Sequence, residues 1–240
     1  MSMKFQEITG LIGRGLFLEP GAYDEAADSD NPFVDGLFMV VIIGVVVAIA
    51  GAIGQAILWA MTPDLGEVKQ IVYEGLLQLP LFEMMRENAI AFDMFQQNYD
   101  MGWQIAEFLN PSFGGIFAGL IMGPLALIIG WLWFAIIAHA VAKLLGGNGR
   151  LSETLGATAL ATAPALLNVF GIIPTVVVAA VGIWMLLARY IAVRRVHENL
   201  SWGRSLIAVL SPMVVSIILF ILFGGFAAIV AGLIIGGMAS

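Results

Sequence analysis

His139 is the residue best equipped for chemistry in this chain: an imidazole titrates near neutral pH, and it can relay a proton or ligate a metal. It falls inside a long apolar run, and ionisable groups at membrane depth are functional candidates by default. No Asp or Glu lies within any of the apolar runs to partner it, so an interhelical hydrogen bond is the plainer expectation. Thr158, Thr162 and Asn168 complete the candidate intramembrane polar set. They offer a polar track, or else interhelical hydrogen bonds worth about 1 kcal/mol each. No nucleophile and base are paired anywhere, so no catalytic residue is assigned.

Other residue groups point to turns and surfaces. Gly146-Gly147-Asn148-Gly149 lacks the Gly-Lys-Ser/Thr ending of a phosphate-binding loop and reads as a tight turn. The acids Glu83, Glu87 and Asp93 lack the spacing of a calcium loop, and no His joins them for zinc. No metal and no cofactor are therefore expected. Arg189, Arg194, Arg195 and Arg204 flank a single loop. Bases so placed contact anionic lipid at about 1 kcal/mol each, and they also serve to orient the neighbouring spans.

The elements that position these residues follow from composition. The 240 residues are 60% hydrophobic and 11% charged, with mean hydropathy +0.98. Gly36–Pro63, Phe108–Ala142, Thr154–Ala188 and Ser205–Ser240 contain no Asp, Glu, Lys or Arg. Each is longer than the roughly 20 residues a helix needs to cross a bilayer. No alternation of polar and apolar residues suggests a barrel, so the spans are helices, which satisfy every backbone group internally. The absence of cysteine excludes disulfides, and no basic face suited to nucleic acid is present.

Span 1 is expected over 37–61, ended by Thr62-Pro63, and span 2 over 117–145, kinked near Pro124. Thr154–Ala188 as one helix would be about 50 Å long, and Gly171 followed by Pro174 signals a stop and restart. It is read as span 3 (154–171) and span 4 (174–194), with span 5 over 205–237. The fold class is thus an all-α integral membrane protein with five transmembrane helices. The competing reading is four plus a re-entrant hairpin at 154–194. With a cytoplasmic N-terminus, Lys4, Arg14, Lys143, Arg150, Arg189, Arg194, Arg195 and Arg204 fall inside, against Lys69 and Arg86 outside. That is the asymmetry of the positive-inside rule, and it puts the C-terminus outside.

Two segments beyond the spans look amphipathic. Within the N-terminal segment 1–36, Phe5, Ile8, Leu11, Ile12 and Leu16 recur at helical spacing, predicting a short helix on the cytoplasmic membrane surface. The acidic external segment 62–112 carries a helix through Val68, Ile71, Val72, Leu76 and Leu79, and a second over 81–109. It is a surface for a partner, or else it packs on the bundle or headgroups. Gly119 and Gly123, and then Gly224, Ala228, Gly232 and Gly236, set small residues on one helix face. Such faces let helices approach closely, within the bundle or against a membrane-protein partner or a second copy.

The order of short motifs is more specific than hydropathy. Gly146-Gly147-Asn148-Gly149-Arg150-Leu151-Ser152-Glu153 leads into a span with Thr162-Ala163-Pro164, followed by a turn at Gly171 to Pro174. A span with Trp184 comes next, then His197-Glu198-Asn199-Leu200-Ser201-Trp202-Gly203-Arg204. Upstream stand Phe17-Leu18-Glu19-Pro20 and Met122-Gly123-Pro124. This series resembles the membrane domain of the Ypt-interacting protein (Yip) family in its bacterial form. The resemblance implies five spans in a bacterial cytoplasmic (inner) membrane, with the N-terminus cytoplasmic and the C-terminus external. It also implies a non-enzymatic scaffold or accessory subunit that binds membrane proteins or lipids. A small transporter or channel for an uncharged or lipidic substrate is the alternative, suggested by the proline-broken spans near Pro124, Pro164 and Pro174.

Overall fold

The structure, a computed structural model, describes residues 3–238, with side chains over 3–108 and 110–225. Ala228, Gly232 and Gly236 of the last small-residue series therefore fall outside the residues whose packing is described. The described chain is helical, with no strand. In order it forms α1 (Phe5–Leu16), α2 (Pro20–Ala27), α3 (Pro32–Met61), α4 (Leu65–Leu77), α5 (Pro80–Arg86) and α6 (Ala89–Leu109). Then come α7 (Phe113–Leu144), α8 (Leu151–Leu160), the 3-10 helix η1 (Ala163–Ile172), α9 (Val181–Val196) and α10 (Trp202–Met238). Among the described residues four segments are long and apolar enough to cross a membrane: Pro32–Met61, Phe113–Leu144, Leu151–Ile172 and Trp202–Gly225.

α3 is the central helix, packed against α7, η1 and α8. Asn31 caps it by accepting from Val34 N–H, Pro32 occupies its first turn, and Thr62-Pro63 ends it. Its glycines mark the close approaches. A Cβ on Gly36 would stand 2.9 Å from Ala159 Cβ, and one on Gly44 would stand 2.9 Å from Pro124 Cα. One on Gly54 would collide with the Gly171 carbonyl. The contact of α3 with α7 is thus tightest at Gly44 and Pro124. A Cβ on Gly123 would only reach ordinary contact with Ala48, and nothing lies within 4 Å of one on Gly119 or Gly224.

The segment expected as one span over 154–171 changes character part-way. Pro164 has no N–H to donate and its ring crowds the preceding turn, so α8 ends at Leu160 and the chain continues as a 3-10 helix. At about 2.0 Å per residue this tighter coil reaches further than an α-helix of equal length. The restart also falls later than 174: residues 173–180 form no helix, and α9 begins at Val181. Pro174 and the β-branched run Thr175-Val176-Val177-Val178 disfavour an immediate return, and Thr175 is held at φ 70.

The N-terminal helix departs from its expected place. Ile8, Leu11 and Ile12 are buried, in one core with Leu160, Ala161, Ala163 and Ala165. Most of the apolar face predicted for the membrane surface is instead covered by the bundle, because the alanines of α8 and η1 leave room for it, while Phe5 stays exposed. The link to α2 is a Schellman turn: Glu19 N–H donates to Arg14 O at 3.1 Å, and Leu18 takes the left-handed position at φ 59. Pro20 then opens α2, whose Tyr23 is buried and donates to Gly15 O at 3.0 Å.

The segment 62–112 folds as three helices rather than two, because Pro80 starts α5 and Asn88 caps α6. They pack on one another through Tyr73, Phe82, Phe95 and Tyr99. Lys69 and Asp100 form an ion pair at 2.7 Å.

Candidate functional site

The chain has two histidines, and the fold brings them together. His139 sits in the last turns of α7 and His197 immediately follows α9, with ring centroids 5.3 Å apart. Thr154, in the first turn of α8, stands between them. Its Oγ1 is 2.9 Å from His139 Nδ1 and 3.4 Å from His197 Nε2. Thr154 and His197 are fully buried.

The 145–150 loop closes over this cluster. Gly146, at φ 96, terminates α7, and Gly147 N–H donates to Ala142 O at 2.8 Å. Gly149 N–H donates to His197 Nδ1 at 3.1 Å. A Cβ on Gly147 would lie 2.6 Å from His197 Nδ1, so a side chain there would displace the imidazole. Asn199 completes the joint, accepting from Asn148 N–H at 3.1 Å and donating to Gly146 O at 2.6 Å. Arg204 donates to Leu145 O at 3.3 Å. The tight turn expected at Gly146–Gly149 is therefore one half of a clasp, and His197–Asn199 is the other.

These bonds fix the proton arrangement. Because His197 Nδ1 accepts from a backbone N–H, the neutral ring carries its proton on Nε2, facing Thr154. Thr154 donates to Arg150 O at 3.1 Å, leaving its oxygen to accept from both rings. Protonation of His197 would set two N–H groups against each other at Gly149. Burial, followed by the charges of His139 and Lys143, holds His197 down at about 4. Among the described residues no cluster of three or more His, Cys, Asp or Glu suits a metal ion. The arrangement is built to hold a proton in place and join two loops.

The remaining candidate residues are dispersed. Thr158 is buried, donates to Thr154 O at 2.6 Å and accepts from Trp131 Nε1 at 3.2 Å. Thr162, in the turn between α8 and η1, donates back to Ala159 O of α8, and Asn168 is exposed on η1, so the three line no common track. Arg189 lies over the Phe134 ring at 4.5 Å. Arg195 pairs with Asp24 of α2. Of the four candidate bases, Arg189 and Arg195 thus turn to protein partners, and Arg204 joins the clasp.

A polar groove of about 620 Å³ lies beside the clasp, walled by Asp24, Asp28, Arg150, Glu153, Arg195 and Glu198. Arg150 and Glu153 pair across the start of α8. Sequence reasoning singled out His139 as solitary and missed His197, Thr154 and Asn199. The available signal was that both histidines fall beside loops placed at the same end by the span count.

Comparison with curated proteins and with solved structures returns no significant match. The family model described as Yip1 domain matches residues 14–224, from the last turn of α1 into α10, and so takes in the clasp, the groove, three apolar segments and all but the last residue of the fourth. The chain is a multi-pass membrane protein that belongs to the Yip1 domain family.

Proposed function

We propose that this protein is a non-enzymatic scaffold or accessory subunit that crosses the bacterial inner membrane five times and recruits another membrane protein through its external insert, α4–α6. The observation that carries this is the outer face of α6. Ile90, Met94, Met101, Ile105 and Phe108 fall within a narrow stripe at helical spacing, and all five are exposed. The opposite face, with Phe95 and Tyr99, is the one engaged by α4 and α5. An apolar stripe left uncovered after the insert has packed on itself marks an interaction surface. The insert's acids outnumber Lys69 and Arg86, so self-association is opposed by charge and a partner with a basic rim is favoured.

The positive-inside count supports a cytoplasmic clasp and an external insert. α8–η1 and α9 would supply the third and fourth crossings as an out-and-back pair. Met101→Glu combined with Ile105→Glu should remove a stoichiometric partner from gentle detergent extracts, as read by mass spectrometry. The melting of the bundle should stay unchanged. An unaltered set of copurified proteins would overturn the recruiting role of the insert.

The transport reading keeps one supporting observation. A cavity of about 390 Å³ is lined by Gln55, Gly115, Gly119, Gly171 and Thr175, where the span is broken and Thr175 is strained. Retention of a small molecule by a particle without partners would favour it.

A further inference from the structure

Asp35 lies in the first turn of α3, 1% exposed. Its Oδ1 accepts from Met3 N–H at 3.2 Å, while its buried Oδ2 has no hydrogen-bond partner among the described residues. A carboxylate oxygen left so is costly unless a donor or a cation reaches it. Asp35 also lines a cavity of about 420 Å³ between α1 and α3, whose other walls are Met3, Phe5, Ile8, Val34, Leu37, Phe38 and Val41. No Lys, Arg or His is among these lining residues. Val34 and Phe38 are also exposed, so the cavity opens at the apolar surface of α3.

We propose that this cavity binds a phospholipid with a primary-ammonium head group, whose N–H donates to Asp35 Oδ2 while its glycerol and upper chains lie along Val34, Phe38 and Val41. Three features select this occupant. The unpartnered acceptor is a carboxylate, so the ligand end that meets it is cationic and carries N–H. The remaining wall is apolar, so the cation has an apolar body. The first turn of a membrane-crossing helix sits at head-group depth, where such lipids are found. A choline head offers no N–H, and a glycerol head leaves the lipid anionic and repelled by Asp35.

The test is native mass spectrometry of the full chain released from micelles holding equal phosphatidylethanolamine, phosphatidylcholine and phosphatidylglycerol. The wild type should retain phosphatidylethanolamine over either competitor by about tenfold, the scale of one hydrogen bond to a charged group. Asp35→Asn should abolish the preference. Val41→Trp, which fills the cavity and leaves Asp35 in place, should abolish retention with an unchanged melting temperature. Equal retention of the three lipids by the wild type would overturn the proposal. So would a preference that survives Asp35→Asn or Val41→Trp. Should Asp35→Asn fail to fold, the wild-type competition and Val41→Trp still decide.

Discussion

His197 shows what a single residue does when two loops must be joined without a disulfide, since the chain has no cysteine. Its ring is buried, accepts from Gly149 and meets Thr154, so only the neutral form fits. The folded value of about 4 lies below the ordinary 6.5. Above pH 6.5 both folded and unfolded chains hold a neutral ring, and the clasp is at full strength. As pH falls from 6.5 toward 4 the unfolded chain takes up the proton and the folded one does not, so stability declines across that window. Hydrogen exchange of the 145–150 amides in detergent should accelerate there. His197→Gln, which keeps an acceptor but does not titrate, should remove the acceleration. His197→Ala should lower stability above pH 6.5 by about 1–3 kcal/mol, the cost of a buried N–H left unpaired, and the deficit should shrink as pH falls toward 4. His139 stands out in the sequence because it interrupts an apolar run. His197 does not, because its burial is created by a loop remote in sequence, and no local pattern records that meeting.

At the level of elements, legibility divides by whether a local rule decides the outcome. The end of α3 was legible from Thr62-Pro63, since proline acts within a few residues, whereas its start at Pro32, capped by Asn31, precedes the expected 37 because the first turn carries Asp35 outside the apolar run. The α8–η1 segment could not be read fully: Pro164 signals a disturbance, but whether a helix kinks, stops or tightens into a 3-10 coil depends on its packing against α3. The N-terminal helices show the same limit. Amphipathic spacing identified α1 correctly as a helix with one apolar face, yet spacing cannot distinguish a lipid surface from a protein one. What draws α1 and α2 inward is the small-residue surface of α8, above all Gly156, where a Cβ would run into the Ala26 carbonyl and lie 2.8 Å from Pro32 Cβ. Gly156→Ala should push α2 off the bundle at a cost of about 1–3 kcal/mol. Limited proteolysis should then cut between α1 and α3, where the wild type resists. Resistance equal to the wild type would mean that α2 is held by Tyr23 and the Arg195–Asp24 pair rather than by the close approach at Gly156.

For the whole molecule, the decisive matter is how far the 151–196 excursion reaches. Its two ends meet at the clasp, since Gly149 bonds His197, while its far end passes beside Gly54 of α3, a few residues from where that helix ends at Met61. From Gly36, beside Ala159, to Gly54 the helix α3 rises about 27 Å at 1.5 Å per residue, close to the thickness of a hydrocarbon core. On the proposed five-span reading this excursion crosses the membrane out and back, with a short α9 that carries Arg189 as its return. Cysteine scanning reads this directly, as no native thiol interferes. Asn148→Cys should react with a membrane-impermeant reagent only from the cytoplasmic side. Val177→Cys, in the exposed far turn, should react only from outside, like a cysteine in the α4–α6 insert. If Val177→Cys is instead protected from both sides, the excursion is re-entrant. The cavity at Gln55 and Thr175 would then lie within the bilayer rather than at its outer edge, and the balance between scaffold and transporter would shift toward transport.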